Sequence, residues 1–457
     1  MDRRQFLKNT SLLACAAGTA GVTSLANVIS PLASADDNLA DGQPLITSAP
    51  MLQNYAETSI GIAFAVNALA NGFVTYGRQP DLSDGVTVMC GGYRVTDISA
   101  SVMHVRLTGL LPATTYYYRI GAHAVDYKSG YNMHITGTYA DPRTYAFTTA
   151  GTGAKSSFCV IGDTHANWNA FGLAVEKIAE LAPACVVWDG DATNCEEKKE
   201  NLVRIFLTPP IARTDYAAQT PYLLCPGNHD FRGMASRRLE EVWMYRQPDE
   251  RPSRYWDLGR NFALRTGDIA LVGLDTGEDK LDSDPRFAGL FAFTAYREAQ
   301  TEWLRNALRR PDIAAAPFLV VVCHIPLFDP DPRANPGDVL PADAGDAYDT
   351  DFAAWQRTCA GLWGPLIKEA GCQLVIAHHQ HRYRYDAPTP ERPWAQIVGG
   401  GPEMELAKGH FPTVVEGQAH DGLLRIRVHN LLSRTVQEQF TFPARHRRES
   451  TKGKSRQ

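Results

Sequence analysis

The stretch Phe158-Cys-Val-Ile-Gly-Asp-Thr-His165 is a short apolar run that stops on Gly-Asp-x-His. The same design returns down the chain. Ala184–Trp188 ends in Asp189-Gly-Asp191, Tyr222–Cys225 in Pro-Gly-Asn228-His229, Phe318–Cys323 in His324-Ile-Pro, and Leu374–Ala377 in His378-His379-Gln-His381. Apolar runs this short, bounded by Gly and Pro, read as buried strands. Between the first two, Phe171, Ala174, Val175, Ile178 and Leu181 keep the period of a helix. Strands alternating with helices predict an open α/β sheet, whose sites lie at the carboxyl ends of the strands. Each run delivers its polar residues there.

Upstream the period is two. Ser59–Val66 alternates, with Ile60, Ile62, Phe64 and Val66 on one face, and Met103, Val105 and Leu107 alternate with His104 and Arg106. Asn71-Gly72 predicts a tight hairpin turn before Phe73–Tyr76. Leu110-x-Pro112-x-Thr114-x-Tyr116 has the form of a tyrosine corner, in which a Tyr hydroxyl ties back to nearby backbone. Residues 45–149 therefore read as an all-β sandwich, and the segment resembles a fibronectin type III module. Ala150–Ser157 is small, polar and Gly-rich, a predicted linker. The α/β region is expected over 156–443.

The ends read differently. Met1–Thr10 is a basic head, a mildly apolar run follows, and Ala33-Ser34-Ala35 closes it, so residues 1–35 read as a signal peptide. Arg3-Arg4-Gln5-Phe6-Leu7-Lys8 closely resembles the twin-arginine export signal. That resemblance implies the twin-arginine machinery as a partner, a periplasmic or secreted destination, and a cofactor loaded before export. Cys15 lies too early in the apolar run to suit a lipidation site. No later stretch is long and apolar enough to span a bilayer, so no stable membrane anchor is expected. Residues 444–457 form a basic, polar tail of disordered composition.

Hydrophobic residues at 44% and charged residues at 21% exclude a disordered or collagen-like chain. A formal charge of −5, from 45 basic against 50 acidic residues, offers no polyanion-binding surface, so nucleic acid is not expected as a partner. Cys159, Cys185, Cys225 and Cys323 sit in apolar runs and read as buried small hydrophobes. There is no Cys-x-x-Cys pair; Cys359 and Cys372 are candidates for a disulfide that spacing alone does not decide.

Each polar strand end has an ordinary explanation alone: a turn, a helix cap, a buried structural histidine. Their joint order is specific. Asp-x-His, Gly-Asp, Gly-Asn-His, Cys-His and His-x-His, in this sequence, resemble the calcineurin-like metallophosphoesterases from Phe158 to about Phe442. With a β-sandwich in front, and His381-Arg-Tyr383 continuing the His-x-His-x-Tyr pattern, the resemblance is nearest to the purple acid phosphatases. It implies a four-layer αββα fold and a pair of divalent or trivalent transition metal ions, with Fe, Mn and Zn all open. Carboxylate, amide and imidazole donors without thiolates suit those metals. By the family's pattern Asp163, His165, Asp191 and His381 would hold one ion. Asp191, Asn228, His324 and His379 would hold the other, with Asp191 as the bridge. Two ions roughly 3.5–4 Å apart can clamp a phosphoryl displacement, with a metal-bound hydroxide as nucleophile. His229 is expected not to coordinate but to protonate the leaving group or hold a phosphoryl oxygen.

Two positions depart from that pattern. Purple acid phosphatases carry a ferric-binding Tyr three residues after the bridging Asp, where this chain has Asn194; here His165 supplies an imidazole those enzymes lack. Asn194 either supports His229 or caps the following helix. His378 stands where the family usually has Gly, and either contacts substrate or is tolerated. Asp230 and Tyr383 are further candidates for substrate contact or for supporting a ligand, and Arg382 and Arg384 lie near enough in sequence to touch a phosphate. The Pro/Asp/Gly-rich stretch 326–351 could be a lid or a solvated insertion. Gly399–Pro402 reads as a turn behind the sheet edge. The expected function is an exported phosphatase acting on small phosphomonoesters. A phosphodiesterase or nucleotidase on the same site is the enzyme alternative, and a non-catalytic cell-surface binding protein the alternative from another class.

Overall fold

A computed structural model describes residues 42–89, 98–245, 256–329 and 345–445. The signal peptide with Cys15, all but two residues of the tail, and most of the 326–351 stretch lie outside the described residues.

Among the described residues the N-terminal region has strands and no helix: β1 (Met51–Gln53), β2 (Ser59–Ala65), β3 (Ala70–Gly77), β4 (Val86–Met89), β5 (Val102–Thr108), β6 (Thr115–Ser129), β7 (Asn132–Ala140) and β8 (Tyr145–Thr148). β4, β3, β6 and β7 form one sheet, with β8 also on β6, while β1, β2 and β5 belong to another. The tyrosine corner is present: the Leu111 N–H donates to the Tyr116 hydroxyl at 2.9 Å. Asn71-Gly72 is not a hairpin turn. Both residues lie inside β3, paired with His123 and Ala122 of β6. Gly72 serves a close approach between sheets, since a Cβ there would lie 2.8 Å from Cβ of Met103 on β5.

β9 (Ser157–Ile161), β10 (Cys185–Asp189) and β11 (Tyr222–Cys225) follow, with β12 (Phe262–Thr266), β13 (Ile269–Leu274), β14 (Phe318–Cys323), β15 (Leu374–Ala377), β16 (Arg384–Asp386), β17 (Ala395–Val398), β18 (Thr413–His420), β19 (Leu423–Asn430) and β20 (Thr435–Pro443). They fall into two mixed sheets. One runs β20-β19-β18-β9-β10-β11-β1-β2-β5, the other β12-β13-β14-β15-β17-β16. β9, β10 and β11 are parallel to one another, as are β13, β14, β15 and β17.

Every residue of the five motif-bearing strands is buried. Alternation then sorts them. Phe158, Val160, Val187 and Leu223 meet Leu271, Val320, Val322 and Ile376 in one core between the sheets. The opposite face of the first sheet, including Cys159, Val186, Trp188 and Leu224, packs on the helices Trp168–Leu181 and Lys199–Phe206. The opposite face of the second packs on Phe293–Arg309 and Gly345–Glu369 through Leu304, Trp363 and Ile367. The result is helix, sheet, sheet, helix. In the helix Trp168–Leu181, the predicted Phe171, Ala174, Val175 and Ile178 form the buried face; Asn167 caps the start by accepting from the Ala170 N–H at 3.2 Å.

The two regions share backbone hydrogen bonds. β1 runs parallel to β11, so three N-terminal strands extend the first sheet of the α/β region. The Gly-rich segment after β8 is held in place: Gly151 N–H donates to the Arg265 carbonyl at 2.9 Å and its carbonyl accepts from Gly267 N–H at 2.8 Å. Cys159, Cys185, Cys225, Cys323, Cys359 and Cys372 are buried free thiols, and Cys195 is a half-buried one. Among the described residues no helix is long and apolar enough to cross a membrane.

Candidate functional site

The carboxyl ends of β9, β10 and β11 meet those of β14 and β15 at one rim of the stacked sheets. There the chain turns sharply with side chains aimed inward. Asp163, His165, Asp191, His379 and His381 all adopt positive φ, at 47°, 44°, 46°, 72° and 53°. Left-handed backbone at non-glycine residues costs ~1–3 kcal/mol each and persists where the surroundings enforce it. Strained residues concentrated at a single rim mark a site.

All seven expected ligand residues converge. Donor atoms of Asp163, His165 and His381 lie within 4.8 Å of one another, as do those of Asp191, His324 and His379. Asp191 joins the two groups: its Oδ2 is 3.5 Å from His165 Nε2 and 3.2 Å from His324 Nε2. Asn228 Oδ1 lies 3.0 Å from His379 Nδ1. Two imidazoles have their far nitrogen held. His324 Nδ1 is 2.8 Å from the Asp189 carbonyl and His381 Nδ1 is 2.8 Å from Glu403 Oε1. Those contacts leave Nε2 of each ring as the inward donor.

The donor set fits cations. Both carboxylate oxygens of Asp163 and Nε2 of His324 are buried without a hydrogen-bond partner. A buried carboxylate with no donor is costly and is normally paired or bound to a metal. Burial accordingly raises the Asp163 carboxyl and lowers the His165 imidazole to about 3. Asp191 goes the other way: burial raises it, but the imidazoles, His324 foremost, take it well below the usual range.

His229 occupies a different position. Its backbone N–H donates to Asp191 Oδ1 at 2.8 Å, and its ring meets His165 edge to face at 4.8 Å. A ring nitrogen of His229 also lies within 4.8 Å of His165 and Asp191 donors. Both ring nitrogens nonetheless have other neighbours, Nδ1 with Cys195 Sγ at 3.5 Å and Nε2 with Arg232 Nη1 at 3.0 Å. Burial lowers the imidazole below its usual range.

Several expectations need correction. Asn194 is exposed and does not support His229; the neighbouring Cys195 does, because the left-handed turn at Cys195, φ 64°, brings that thiol inward. Nor does Asn194 cap the next helix, whose N-cap is Lys198. His378 is completely buried and paired through Nδ1 with Asp189 Oδ2 at 2.7 Å, so substrate does not reach it. It is accommodated because Gly162 and Gly399 flank its ring, where any Cβ would collide. Asp230 accepts from the Gly227 and Thr193 N–H groups at 2.9 and 3.0 Å, tying the β10 and β11 loops together, and burial raises its carboxyl to about 6. The Tyr383 hydroxyl is bound to Glu438 on β20. Arg384 is occupied by Asp386 and Asp329, and Arg382 lies 3.1 Å from His410. Gly399–Pro402 passes against the site, not behind the sheet: a Cβ on Gly401 would lie 3.3 Å from the Asp163 carbonyl.

Sequence reasoning missed Glu403, Cys195, Arg232 and the pair Glu278 and Asp279. Asp279 Oδ2 lies 3.7 Å from His379 Nε2, and Arg232 holds Glu278. Glu403 had one signal, its place just after three glycines that let the backbone come close. The others come from separate loops and carry no shared spacing.

This constellation can bind two cations about a shared carboxylate and leave the His229 imidazole beside them. Its family is shown by comparison. Residues 156–383 match the calcineurin-like phosphoesterase family, and this part of the chain belongs to it. The class is that of metal-dependent phosphoesterases. Among solved structures, a purple acid phosphatase from yellow lupin (Lupinus luteus) seeds superposes with a TM-score of 0.57 at 14% identity, covering 87% of this chain and 74% of that one. PhoD superposes with a TM-score of 0.56 at 12% identity, covering 87% and 90%. At these identities the likeness is one of fold. No curated protein sequence matches the chain.

Proposed function

We propose that the protein is an exported phosphatase that hydrolyses small phosphomonoesters at a dinuclear metal centre. The observation that carries this reading is the convergence of Asp163, His165, Asp191, Asn228, His324, His379 and His381 at one rim, with buried donor atoms that lack protein partners. Asp163, His165 and His381 would hold one ion, Asn228, His324 and His379 the other, and Asp191 both. Bound there, the ions would polarise the phosphoryl group and lower the pKa of water. The chain's own residues do the rest. The Asp189 carbonyl and Glu403 hold the imidazoles of His324 and His381 in the orientation that turns Nε2 inward. His229, beside Asp191 and outside the ligand set, is placed to exchange a proton with the leaving oxygen. The deciding experiment pairs metal analysis of purified protein with rates on phosphomonoesters and phosphodiesters. About two metals per chain and faster monoester cleavage are expected; faster diester cleavage would move the assignment to a phosphodiesterase.

Export by the twin-arginine route belongs to the same proposal and rests on Arg3-Arg4-Gln5-Phe6-Leu7-Lys8. Replacing Arg3-Arg4 by Lys-Lys is expected to leave precursor in the cytoplasm, while the wild-type mature chain begins at Asp36. Normal processing of the Lys-Lys precursor would assign the general secretory route instead.

A further inference from the structure

We propose that Arg232 is a phosphoryl-binding residue of this site, presenting Nη1 to a terminal oxygen of the substrate beside His229. The inference rests on the phosphatase reading above and names a contact that the metal ligands do not supply.

The guanidinium is held as a fork. Its Nε donates to Glu278 Oε2 at 2.8 Å, and Nη2 donates to Glu278 Oε1 at 2.6 Å and to Asp279 Oδ1 at 3.0 Å. Both carboxylates are buried, at 0% and 1% exposure, while Arg232 keeps 18% of its side chain open. Glu278 and Asp279 follow β13 in one sheet, and Arg232 follows the β11 loop in the other, so the pairs bridge the two sheets at the site's rim. These bonds use three of the five N–H groups that an arginine offers. The remaining two are on Nη1, which lies 3.0 Å from His229 Nε2. One N–H satisfies that nitrogen. Among the described residues, the other has no protein acceptor.

Electrostatics gives this arrangement a direction. A guanidinium beside cations would be repelled unless an anion lay between them, and the carboxylates of Glu278 and Asp279 are already engaged by Nε and Nη2. A terminal phosphoryl oxygen supplies that anion and would accept the one N–H that Nη1 has left, in a charge-assisted hydrogen bond. The fork also prevents the side chain from collapsing onto Asp191, so Nη1 is pre-positioned at no cost in rotamer entropy on binding.

The test is binding of inorganic phosphate to the metal-loaded full chain, measured by calorimetry alongside metal content, for wild type, Arg232→Lys and Arg232→Gln. Both variants are expected to keep about two metals and to bind phosphate ~10–100-fold more weakly, Gln more so than Lys, on the scale of a charge-assisted hydrogen bond worth ~1.5–3 kcal/mol. Unchanged phosphate affinity in a metal-retaining Gln variant overturns the proposal and makes Arg232 a structural tie between sheets. Loss of metal from both variants overturns it too, since Arg232 would then support the ligand shell. A wild-type chain that holds metals yet binds no phosphate and cleaves no ester overturns the phosphatase reading itself, an outcome separate from the first two.

Discussion

Asp191→Asn is expected to cost the protein its metal pair and to take phosphoester hydrolysis to background. Asp191 Oδ2 stands between His165 Nε2 at 3.5 Å and His324 Nε2 at 3.2 Å, nearer to both inward nitrogens than Asp163 Oδ1, at 3.9 and 3.8 Å. Oδ1 meanwhile accepts the His229 N–H. An amide keeps the size and one acceptor oxygen, so the fold should survive. It removes the negative charge that offsets two cations. Elemental analysis should fall from about two metals per chain to one or none, with a rate loss exceeding the ~10²–10⁴ of a proton-transfer residue. A variant that holds two metals and more than a tenth of wild-type activity would show that Asp191 is not the bridge.

His229→Ala should behave differently: metals retained, kcat lower. Its ring nitrogens face Cys195 and Arg232, so truncating the ring removes no inward donor from either ion group. If proton transfer is its whole contribution, kcat falls by ~10²–10⁴ on alkyl phosphates, whose alkoxide leaves badly without a proton. Nitrophenyl phosphate, with a stabilised leaving group, should lose much less. Measuring metal content and both rates on the one variant separates the roles. Equal losses with metals retained would assign His229 to holding the phosphoryl group, a role it would share with Arg232, whose Nη1 already donates to its Nε2 in the free protein. Equal losses with metals gone would make it structural.

The different roles expected of Asp191 and His229 come from the family resemblance. The strand ends that carry them are legible in the sequence, because an apolar run stopped by Gly, Asp or His is a local signal. Tyr222–Cys225, Phe318–Cys323 and Leu374–Ala377 were bounded to the residue on that basis. Asn71-Gly72 was misread by the same local reasoning. The pair is a strong turn signal, but the glycine is there for Met103 on another sheet. Asn194 fails for a similar reason: the space beside His229 goes to whichever side chain the turn brings inward, and that is Cys195. His378 is tolerated, the second of its two readings, because Asp189 pairs with its buried ring.

Periodicity alone therefore determined the strand-rich front, the α/β region behind it, and which residue types stand at the strand ends, because period and composition are properties of neighbouring residues. Tertiary structure decided what the faces are covered by. It stacked β9–β11 against β13–β15 to build one core, ran β1 alongside β11 so that the two regions share a sheet, and placed Glu403, Arg232, Glu278 and Asp279 around the site. The physical reason is that an apolar face specifies burial without naming its partner. A charged side chain likewise specifies a need for pairing, and only the closed chain shows what meets it.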